Sequence, residues 1–246
     1  MTTSKNRTAL VTGSSRGIGA AIAERLAADG FNVVVNYAGS EAAAHQVVGK
    51  IKAAGGKAIA AQADVSDAAA VKQMFDTAEA TFGGVDVLVN NAGIMKLASI
   101  ADSDDALFDS QVAINFKGTF NLLREAANRL RHGGAIVNFS TSVVGLKLET
   151  YSVYAGTKAA VETMTAIMAK ELRGRSITVT AVAPGPTATQ LFLDGKPPEI
   201  VDRMSKIAPL ERLGTPEDIA SVVAFLVGPD GAWVNGQTLR ANGGVV

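Results

Sequence analysis

The feature that most constrains the fold of this chain is a glycine-rich segment near its N-terminus. Gly13, Gly17 and Gly19 follow an apolar run, Thr8–Val11, and open a helix-like pattern over residues 17–28. A strand, a glycine turn and a helix in this order let the backbone approach a pyrophosphate at the positive end of the helix. The spacing differs from the longer dinucleotide fingerprint, and a turn that serves only helix–strand packing is the alternative. The segment predicts a nucleotide-binding loop.

The rest of the chain alternates between strand-like and helix-like segments. The predicted strands are Thr8–Val11, Asn32–Tyr37, Ala58–Ala61, Val85–Asn90, Ala135–Ser140, Ile177–Val182 and Gln237–Arg240. The predicted helices are Gly17–Ala28, Glu41–Ala54, Asp67–Phe82, Ser103–Leu130, Ser152–Leu172 and Pro216–Val227. Continuously apolar strands are typical of a parallel sheet with helices on both faces. We therefore predict the α/β class: one doubly wound, Rossmann-type, parallel seven-stranded domain over residues 1–246, with ligands at the carboxyl ends of the strands.

Composition narrows the function classes. The 246 residues include 23 basic and 23 acidic side chains, so no global charge favours nucleic acid or an anionic membrane. The chain has no cysteine, which excludes disulfides and thiolate chemistry. His45 and His132 are far apart in the sequence, so we expect no metal site. No apolar run approaches the roughly 18 residues of a membrane span, and we expect a soluble, cytoplasmic protein.

The end of the second predicted strand bears on the choice of cofactor. NAD-binding loops hold the ribose 2′-hydroxyl with an acid about 20 residues beyond the glycines. The five residues at that point carry no carboxylate; they are Asn36, Tyr37, Ala38, Gly39 and Ser40. An acid would repel a 2′-phosphate, so its absence, together with Arg16 in the loop, favours NADP(H). The alternative is that Arg16 only faces solvent.

Two further strand ends carry candidate residues. Asp64 and Val65 follow the third strand, where an adenine ring would lie if a cofactor crosses the strand ends. A lone Asp before a helix is more often a cap, and Asp67 is the better cap candidate. The fourth strand ends in the run Asn90-Asn91-Ala92-Gly93. Small residues there admit a ligand, whereas the Asn90 amide more plausibly ties neighbouring strands together.

Tyr154 and Lys158 carry the strongest chemical signal. Four residues apart on a helix, they lie on one face. A free phenol has a pKa of about 10, and a nearby ammonium would lower it, which makes a plausible general acid or base. Tyr151 has Ala155 in the corresponding position and lacks such a partner. The alternative is a solvated pair on a surface helix.

Smaller signals surround this pair. Asn115 lies inside a helical stretch, where it predicts a kink or a backbone carbonyl freed to hold water. A hydroxyl-rich segment at residues 140–142 ends the fifth strand and could hydrogen-bond a carbonyl oxygen near Tyr154. A rigid turn with free backbone donors follows the sixth strand and contains Pro184, Gly185, Thr187 and Thr189.

Taken together and in this order, the motifs resemble the short-chain dehydrogenase/reductase family along essentially the whole chain. The motifs are Thr12-Gly13-x3-Gly17-x-Gly19, Asn90-Asn91-Ala92-Gly93, Asn115, the segment 140–142, Tyr154-x3-Lys158 and Pro184-Gly185. The chain is most similar in kind to 3-oxoacyl carrier-protein reductases and related NADPH carbonyl reductases. The resemblance implies that Tyr154 donates a proton and that Lys158 lowers its pKa and holds the nicotinamide ribose. It also implies that Asn115 holds a relay water, that a serine orients the substrate carbonyl and that Thr187 meets the nicotinamide carboxamide.

The position of that serine is open. The family's serine usually lies three residues before a glycine and about thirteen before the tyrosine. Ser142 satisfies the first rule but lies twelve residues before Tyr154, and the thirteen-residue count falls on Thr141. We assign Ser142, with Thr141 and Ser140 as alternatives. Asn242 stands where an acid is common, and no chemistry is assigned to it.

These observations predict an NADPH-dependent ketone reductase. The predicted cofactor-binding residues are Gly13, Ser15, Arg16, Gly17, Ile18, Gly19, Asn36, Tyr37, Ala38, Ser40, Asp64, Val65, Asn91, Ala92, Gly93, Tyr154, Lys158, Pro184, Gly185, Thr187 and Thr189. A segment at about 188–213, mostly aliphatic and of mixed charge, is expected to cover a neutral, partly apolar substrate. Relatives are usually tetramers, so a homotetramer is expected.

Two alternatives remain. The first is a 3-oxoacyl carrier-protein reductase whose acidic partner would be received by four arginines. These are Arg129, Arg131, Arg173 and Arg175, which more simply act as cations at two helix C-termini. The second and more distant alternative is a non-catalytic NADP-binding regulatory protein, which would have no need of the phenol.

Overall fold

The computed structural model describes residues 6–246, which form a seven-stranded parallel sheet with helices on both faces. The strands are β1 Thr8–Val11, β2 Asn32–Tyr37, β3 Lys57–Gln62, β4 Val85–Asn90, β5 Leu130–Phe139, β6 Thr178–Pro184 and β7 Thr238–Ala241. Their order is β3-β2-β1-β4-β5-β6-β7, and each neighbouring pair is parallel. The predicted fold class is therefore confirmed. The strand order reverses between β1 and β4, which is where a doubly wound sheet leaves a crevice for a ligand.

The helices cover the two faces as separate layers. They are α1 Gly17–Ala28, α2 Glu41–Ala53, α3 Ala68–Phe82, α4 Asp105–Gln111, α5 Thr119–Arg129, α6 Val143–Leu146, α7 Ser152–Glu171, α8 Gln190–Leu193, α9 Pro198–Ser205 and α10 Pro216–Val227. One apolar core joins the sheet to α1, α2 and α10, and a second joins it to α3, α5 and α7. Along β1, Ala9 and Val11 face the first core and Leu10 faces the second. Strands buried on both sides explain the unbroken apolar runs.

The prediction of one long helix over Ser103–Leu130 is wrong. A π-helical segment, Val112–Gly118, separates α4 from α5, and Leu130 already belongs to β5. Asn115 lies in the π segment, where its backbone oxygen accepts a hydrogen bond from the Thr119 hydroxyl over 2.8 Å. The expected irregularity at Asn115 is therefore present as a π-helix, a form that concentrates at functional sites.

Three short helices near the carboxyl ends of the strands, α6, α8 and α9, fall in segments for which no element was predicted. Both α6 and α8 have only four residues, too few to show a helical period in the sequence. Helices α8 and α9 lie within the segment 188–213. Over residues 6–246, no helix has both the length and the apolar character that a membrane span requires.

Candidate active site

The glycine-rich loop joins β1 to α1 in a conformation that depends on glycine. Gly13 and Gly17 have positive φ angles, 59° and 57°. A Cβ atom at Gly19 would lie 2.4 Å from the backbone oxygen of Gly13, so no larger residue fits there. The backbone of this loop is therefore open to close approach at the N-terminus of α1, as a phosphate site requires.

The side chain of Asn36 holds this loop in place. Its Oδ1 accepts from the backbone N–H of Gly13 over 3.1 Å, and its Nδ2 donates to the oxygens of Ala61 and Ala63 over 3.2 and 3.1 Å. The side chain is 1% exposed. Asn36 borders the cleft beside the loop, but its amide is fully used by backbone groups. It supports the loop through its side chain, and its predicted place among the cofactor-binding residues stays a prediction.

We expect Asn36→Asp to destabilise the fold. A carboxylate oxygen in place of Nδ2 would face the carbonyl oxygens of Ala61 and Ala63, and the cost should be about 2–3 kcal/mol of unfolding free energy. Urea unfolding measures this change. Ala38→Asp is the matched control, because Ala38 is exposed at the rim of the same cleft and should tolerate the acid. Equal stability of both variants would contradict the role of Asn36.

The end of β4 is tied to the glycine loop. Asn91 donates from Nδ2 to the backbone oxygens of Thr12 and Gly13 over 2.9 and 3.1 Å. Asn90 instead donates to Asn138 Oδ1 on β5 over 2.7 Å. The structural role expected of Asn90 is confirmed, and Asn91 fixes the wall of the cleft.

The predicted cofactor residues meet along one cleft at the carboxyl edge of the sheet. Those that line the part beside the glycine loop are Gly13, Ser15, Arg16, Gly17, Ile18, Gly19, Asn36, Tyr37, Ala38, Ser40, Asp64, Val65, Asn91, Ala92, Gly93 and Thr189. Those that line the adjoining cavity are Tyr154, Lys158, Pro184, Gly185 and Thr187. The two parts share several lining residues, including Ile18, Asn91 and Gly93, and so form one continuous groove.

Two aspartates beyond β3 have different local roles. The Asp64 carboxylate accepts from the backbone N–H and the hydroxyl of Ser66 over 2.9 and 2.8 Å, which shapes the turn at the cleft rim. Asp67 caps α3 by accepting from the N–H groups of Ala69 and Ala70. The cap prediction for Asp67 is confirmed.

Asn115 and Lys158 converge on the floor of the cleft. Asn115 bonds both backbone groups of Ile94, with its Nδ2 on the oxygen and its Oδ1 on the N–H, each over 2.9 Å. Lys158 Nζ donates to the oxygen of Phe139 at the end of β5 over 2.8 Å. A Cβ atom at Gly93 would lie 3.1 Å from Asn115 Oδ1 and 3.5 Å from Lys158 Nζ. The π segment therefore delivers Asn115 to the side of the cleft that Lys158 reaches from α7.

The hydroxyl that meets Tyr154 belongs to Thr141. Thr141 lines the same cavity as Tyr154, and its side-chain hydroxyl lowers the pKa of the phenol. Ser142 Oγ donates instead to the oxygen of Ala183 over 3.2 Å, and its residue is 2% exposed. These contacts favour Thr141, one of the two alternatives, over Ser142, and the identity of the substrate-orienting hydroxyl stays a prediction.

The two serines of this segment are held by neighbouring parts of the chain. The N–H groups of Ser140 and Ser142 continue the pairing with β6 beyond the end of β5, at 2.8 and 2.9 Å from the oxygens of Val182 and Pro184. Ser142 already has the helical backbone angles that begin α6, with φ −62° and ψ −17°, and residues 140, 141 and 142 all border the cavity. The Ser140 hydroxyl donates to a Glu162 oxygen 2.6 Å away.

Burial dominates the electrostatics of Tyr154 and Lys158. Burial raises the pKa of Tyr154 to about 12, while the Thr141 hydrogen bond lowers it and nearby Tyr151 raises it. Burial lowers the pKa of Lys158 to about 8. The ammonium is held by Phe139, and the expected lowering of the phenol pKa by Lys158 is absent in the protein alone. At neutral pH the phenol is protonated, which suits a proton donor.

The turn after β6 closes the far side of the cavity. The Thr187 hydroxyl donates to the oxygen of Gly185 over 2.9 Å, and Thr189 caps α8 by accepting from Phe192 N over 3.3 Å. From the segment 188–213, the cavity is lined by Leu191, Phe192 and Met204 together with Thr189.

Three of the four arginines considered as a partner site are already engaged. Arg129 is held by three carboxylates and Arg131 by one. The partners of Arg129 are Asp76, Glu79 and Glu125. The partner of Arg131 is Asp86. Arg175 donates to two backbone oxygens at the end of α5, those of Ala127 and Leu130. Arg175 thus stabilises a helix C-terminus, as the simpler alternative held.

Some site residues escaped sequence reasoning. Ile94 lines the cavity, and both of its backbone groups bond Asn115, a contact that no side-chain pattern reveals. Thr157 donates to the backbone oxygen of Tyr154 over 2.7 Å and accepts from Asn115 over 3.4 Å. The position of Thr157 inside the Tyr154-x3-Lys158 motif is the sequence feature that could have indicated its place in the site. Across residues 6–246, no group of three or more potential metal-ligating side chains is assembled.

Known proteins are similar to this chain over almost its whole length. A family model described as enoyl-(acyl carrier protein) reductase, of the short-chain alcohol dehydrogenase type, matches residues 13–246. An NADPH-dependent aldehyde reductase-like protein, chloroplastic, of Arabidopsis thaliana is 45% identical, over 98% of this chain and 94% of that protein. A 3-oxoacyl-(acyl-carrier-protein) reductase of Staphylococcus epidermidis is 41% identical, over 98% of this chain and 99% of that protein.

The solved structures agree with these similarities. The crystal structure of a short chain dehydrogenase from Burkholderia cenocepacia in complex with NADP superposes with a TM-score of 0.93 at 39% identity. The match covers 99% of both chains. The whole sheet and the cleft at its carboxyl edge therefore lie inside the shared structure.

Proposed function

The chain belongs to the short-chain dehydrogenase/reductase family, and on that premise we propose that it is an NADPH-dependent reductase of neutral, partly apolar carbonyl compounds, chiefly ketones. The observation that carries the proposal is that the hydroxyl residues Thr141 and Tyr154 line one cavity with apolar walls. Those walls include Ile94, Met95, Val143, Leu146, Leu148, Leu191, Phe192 and Met204.

The charge of the cavity supports a neutral substrate. Among its lining residues in the described chain, Lys158 alone is charged, and its ammonium is engaged by Phe139. A sugar phosphate or a dicarboxylate needs a concentrated positive field, which these walls do not supply. An apolar pocket with a few convergent hydroxyls suits a substrate with one carbonyl group.

NADP(H) is the cofactor, and the cleft fits it. The open backbone of the loop at residues 13–19 would hold the pyrophosphate at the N-terminus of α1, and Asp64 and Val65 border the place for adenine. Exposed Arg16 and the acid-free rim at residues 38–40 would receive a 2′-phosphate. When bound, NADPH supplies the hydride.

The protein's own residues then handle the carbonyl oxygen. The Thr141 hydroxyl would orient that oxygen toward Tyr154, and the protonated phenol would donate its proton to it. Lys158 would present its ammonium toward the cofactor ribose from the cleft floor, while Asn115 fixes the adjacent Ile94 backbone. In the reverse direction the phenol must first lose its proton, so alcohol oxidation should become faster as pH rises.

We expect NADPH to bind at least about tenfold more tightly than NADH, a difference of about 1.4 kcal/mol. The cause is a charge-assisted contact between Arg16 and the 2′-phosphate, together with the acid-free rim. Fluorescence titration of both cofactors measures the ratio. Ala38→Asp should lower NADPH affinity selectively, and equal affinities of the unaltered protein for the two cofactors would refute the argument.

The proposed activity is tested by following NADPH absorbance with neutral aryl and alkyl ketones, 3-oxoesters, aldehydes and anionic keto acids at matched concentration. Neutral ketones should have a kcat/KM at least about tenfold above that of keto acids of the same size, because Lys158 is the single cation among the described residues that line the cavity, and its Nζ is bonded to the Phe139 oxygen. A preference for the keto acids would overturn the proposal. Faster turnover of aldehydes would move the substrate class toward the one in the name of the Arabidopsis relative.

The second candidate is a 3-oxoacyl carrier-protein reductase, which the 41% identity to the staphylococcal protein favours. Against it, Arg129, Arg131 and Arg175 have partners within the chain. Thioesters on an acidic carrier protein, compared with the same acyl group on a short thiol, distinguish the two. The non-catalytic alternative predicts cofactor binding with no turnover of any carbonyl compound in the panel.

We also propose a homotetramer. Large apolar side chains stand exposed around α4, the π segment and α5, and these are Ile100, Phe108, Phe116 and Phe120. Trp233, before β7, is 98% exposed. Faces of this kind mark association surfaces, and analytical ultracentrifugation gives the mass. The Arabidopsis relative is named chloroplastic, so a cytoplasmic location stays a proposal that cell fractionation would test.

A further inference from the structure

The turn that follows β7 reaches the catalytic segment through the side chain of Asn242. Its Nδ2 donates to Ser142 Oγ over 3.0 Å and to the oxygen of Val246 over 3.1 Å. Its Oδ1 accepts from the backbone N–H of Gly244 over 3.0 Å. Both N–H groups and the oxygen of the amide are therefore used, and they join the last five residues of the chain to Ser142.

The Oγ atom of Ser142 has an acceptor site that faces Asn242 and that a hydrogen-bond donor can fill. Its hydroxyl hydrogen points to the oxygen of Ala183 over 3.2 Å, and its backbone N–H is taken by Pro184 over 2.9 Å. What remains is an acceptor site on Oγ, which an amide N–H satisfies and a carboxylate does not. Because residue 242 is an Asn and not an acid, its side chain can donate a hydrogen bond to Ser142 Oγ.

Asn242 lies outside the catalytic groove. Within the described chain it borders a second cavity, which shares only Gly185 and Pro186 with the catalytic one. Asn242 can therefore influence the reaction through the residues it holds by hydrogen bonds, or through Gly185, against which its backbone packs. The nearest of these in sequence to the reacting group is Ser142, which directly follows Thr141.

We propose that Asn242 is a positioning residue that acts through Ser142 to hold the Thr141 hydroxyl against Tyr154. The inference rests on the proposed function, since the position of this hydroxyl affects turnover only if Tyr154 protonates a carbonyl oxygen. The C-terminal turn is thereby part of the support of the catalytic hydroxyl pair.

Asn242→Ala should lower kcat by about tenfold and leave the Kd for NADPH within about twofold, because only the positioning of the hydroxyl changes. The rise of alcohol oxidation with pH should also move to higher pH. The Thr141 hydrogen bond lowers the pKa of Tyr154, so a displaced hydroxyl lets that pKa increase. Thr141→Val should move the pH profile in the same direction with a larger loss of kcat.

Two companion variants separate positioning from general stability. Ser142→Ala should reproduce the loss seen in Asn242→Ala, and the double variant should lose no more than either single one, since both remove the same link. Asn235→Ala is the matched control, because Asn235 Oδ1 also holds β6, accepting from Val179 N over 2.8 Å, but before β7 instead of after it. It should lower the melting temperature and leave kcat and the pH profile unchanged.

A measurement without substrate keeps this inference separate from the proposed function. In protein labelled at the threonine methyl groups, the Thr141 NMR resonance, assigned with Thr141→Ser, should shift in Asn242→Ala and stay in place in Asn235→Ala. An unmoved resonance, or an unchanged kcat and pH profile in Asn242→Ala, would overturn the inference. A shifted resonance in a wild-type protein that reduces no carbonyl compound would uphold the positioning of Thr141 and reject the proposed function alone.

Discussion

Replacing Tyr154 by Phe should lower the turnover of ketone reduction by at least about a hundredfold and leave NADPH affinity nearly unchanged. The variant removes one hydroxyl group, the one that Thr141 bonds and that would donate the proton. The ring, and hence the shape of the cavity, remains. Single-turnover and steady-state kinetics with a neutral ketone measure the loss, and fluorescence titration measures the cofactor affinity.

Tyr151→Phe is the matched control for this result. The two rings lie edge to face with centroids 6.4 Å apart, and both line the same cavity. The Tyr151 phenol, whose pKa is raised by burial, has no lysine four residues beyond it. Its removal should cost less than about tenfold in kcat. If Tyr151→Phe were as harmful as Tyr154→Phe, the assignment of the proton donor would be wrong.

Replacing Lys158 by Met should reduce both turnover, by about a hundredfold or more, and NADPH affinity, because the ammonium serves the phenol and the cofactor together. The same variant should change stability in a pH-dependent manner. Lys158 is 4% exposed, and burial lowers its pKa from an ordinary 10.5 to about 8. Keeping this lysine charged in the folded protein therefore costs about 3 kcal/mol, an amount that the hydrogen bond to Phe139 offsets in part.

The sign of the pH effect follows from the protons bound in each state. Between the folded pKa of about 8 and the unfolded value of 10.5, the unfolded chain binds more protons at Lys158, so wild-type stability rises with pH through that window. Relative to Lys158→Met, the wild type should gain about 1 kcal/mol of unfolding free energy between about pH 7 and about pH 9. Urea unfolding at both pH values checks this. A difference that does not change with pH would show that Lys158 is not held with a depressed pKa.

Much of the fold follows from local sequence alone. The inner strands are predictable because a parallel strand buried on both faces must be apolar throughout, as Val33, Val34 and Val35 of β2 are. The Asp67 cap is equally local, because its partners, Ala69 and Ala70, lie two and three residues away. Tyr154 and Lys158 could be found for the same reason, since helical spacing brings them to one face.

The tertiary structure decided what depends on distant partners or on burial. The role of the Asn36 amide is set by its hydrogen bonds to the backbone oxygens of Ala61 and Ala63, which lie 25 and 27 residues away and are not indicated by any local pattern. The pKa directions of Tyr154 and Lys158 follow from desolvation, which a sequence does not display.

The choice between Thr141 and Ser142 illustrates the difference most clearly. Counting in the sequence allowed either residue, because one rule counted from a glycine and the other from the tyrosine. The pairing of this segment with β6 and the amide of Asn242, 100 residues beyond Ser142, engage Ser142, whereas it is the Thr141 hydroxyl that lowers the pKa of the phenol. The sequence by itself determined the sheet, the loop and the Tyr–Lys pair through short-range patterns, whereas the partner of the phenol was decided by contacts that exist only after the chain has folded.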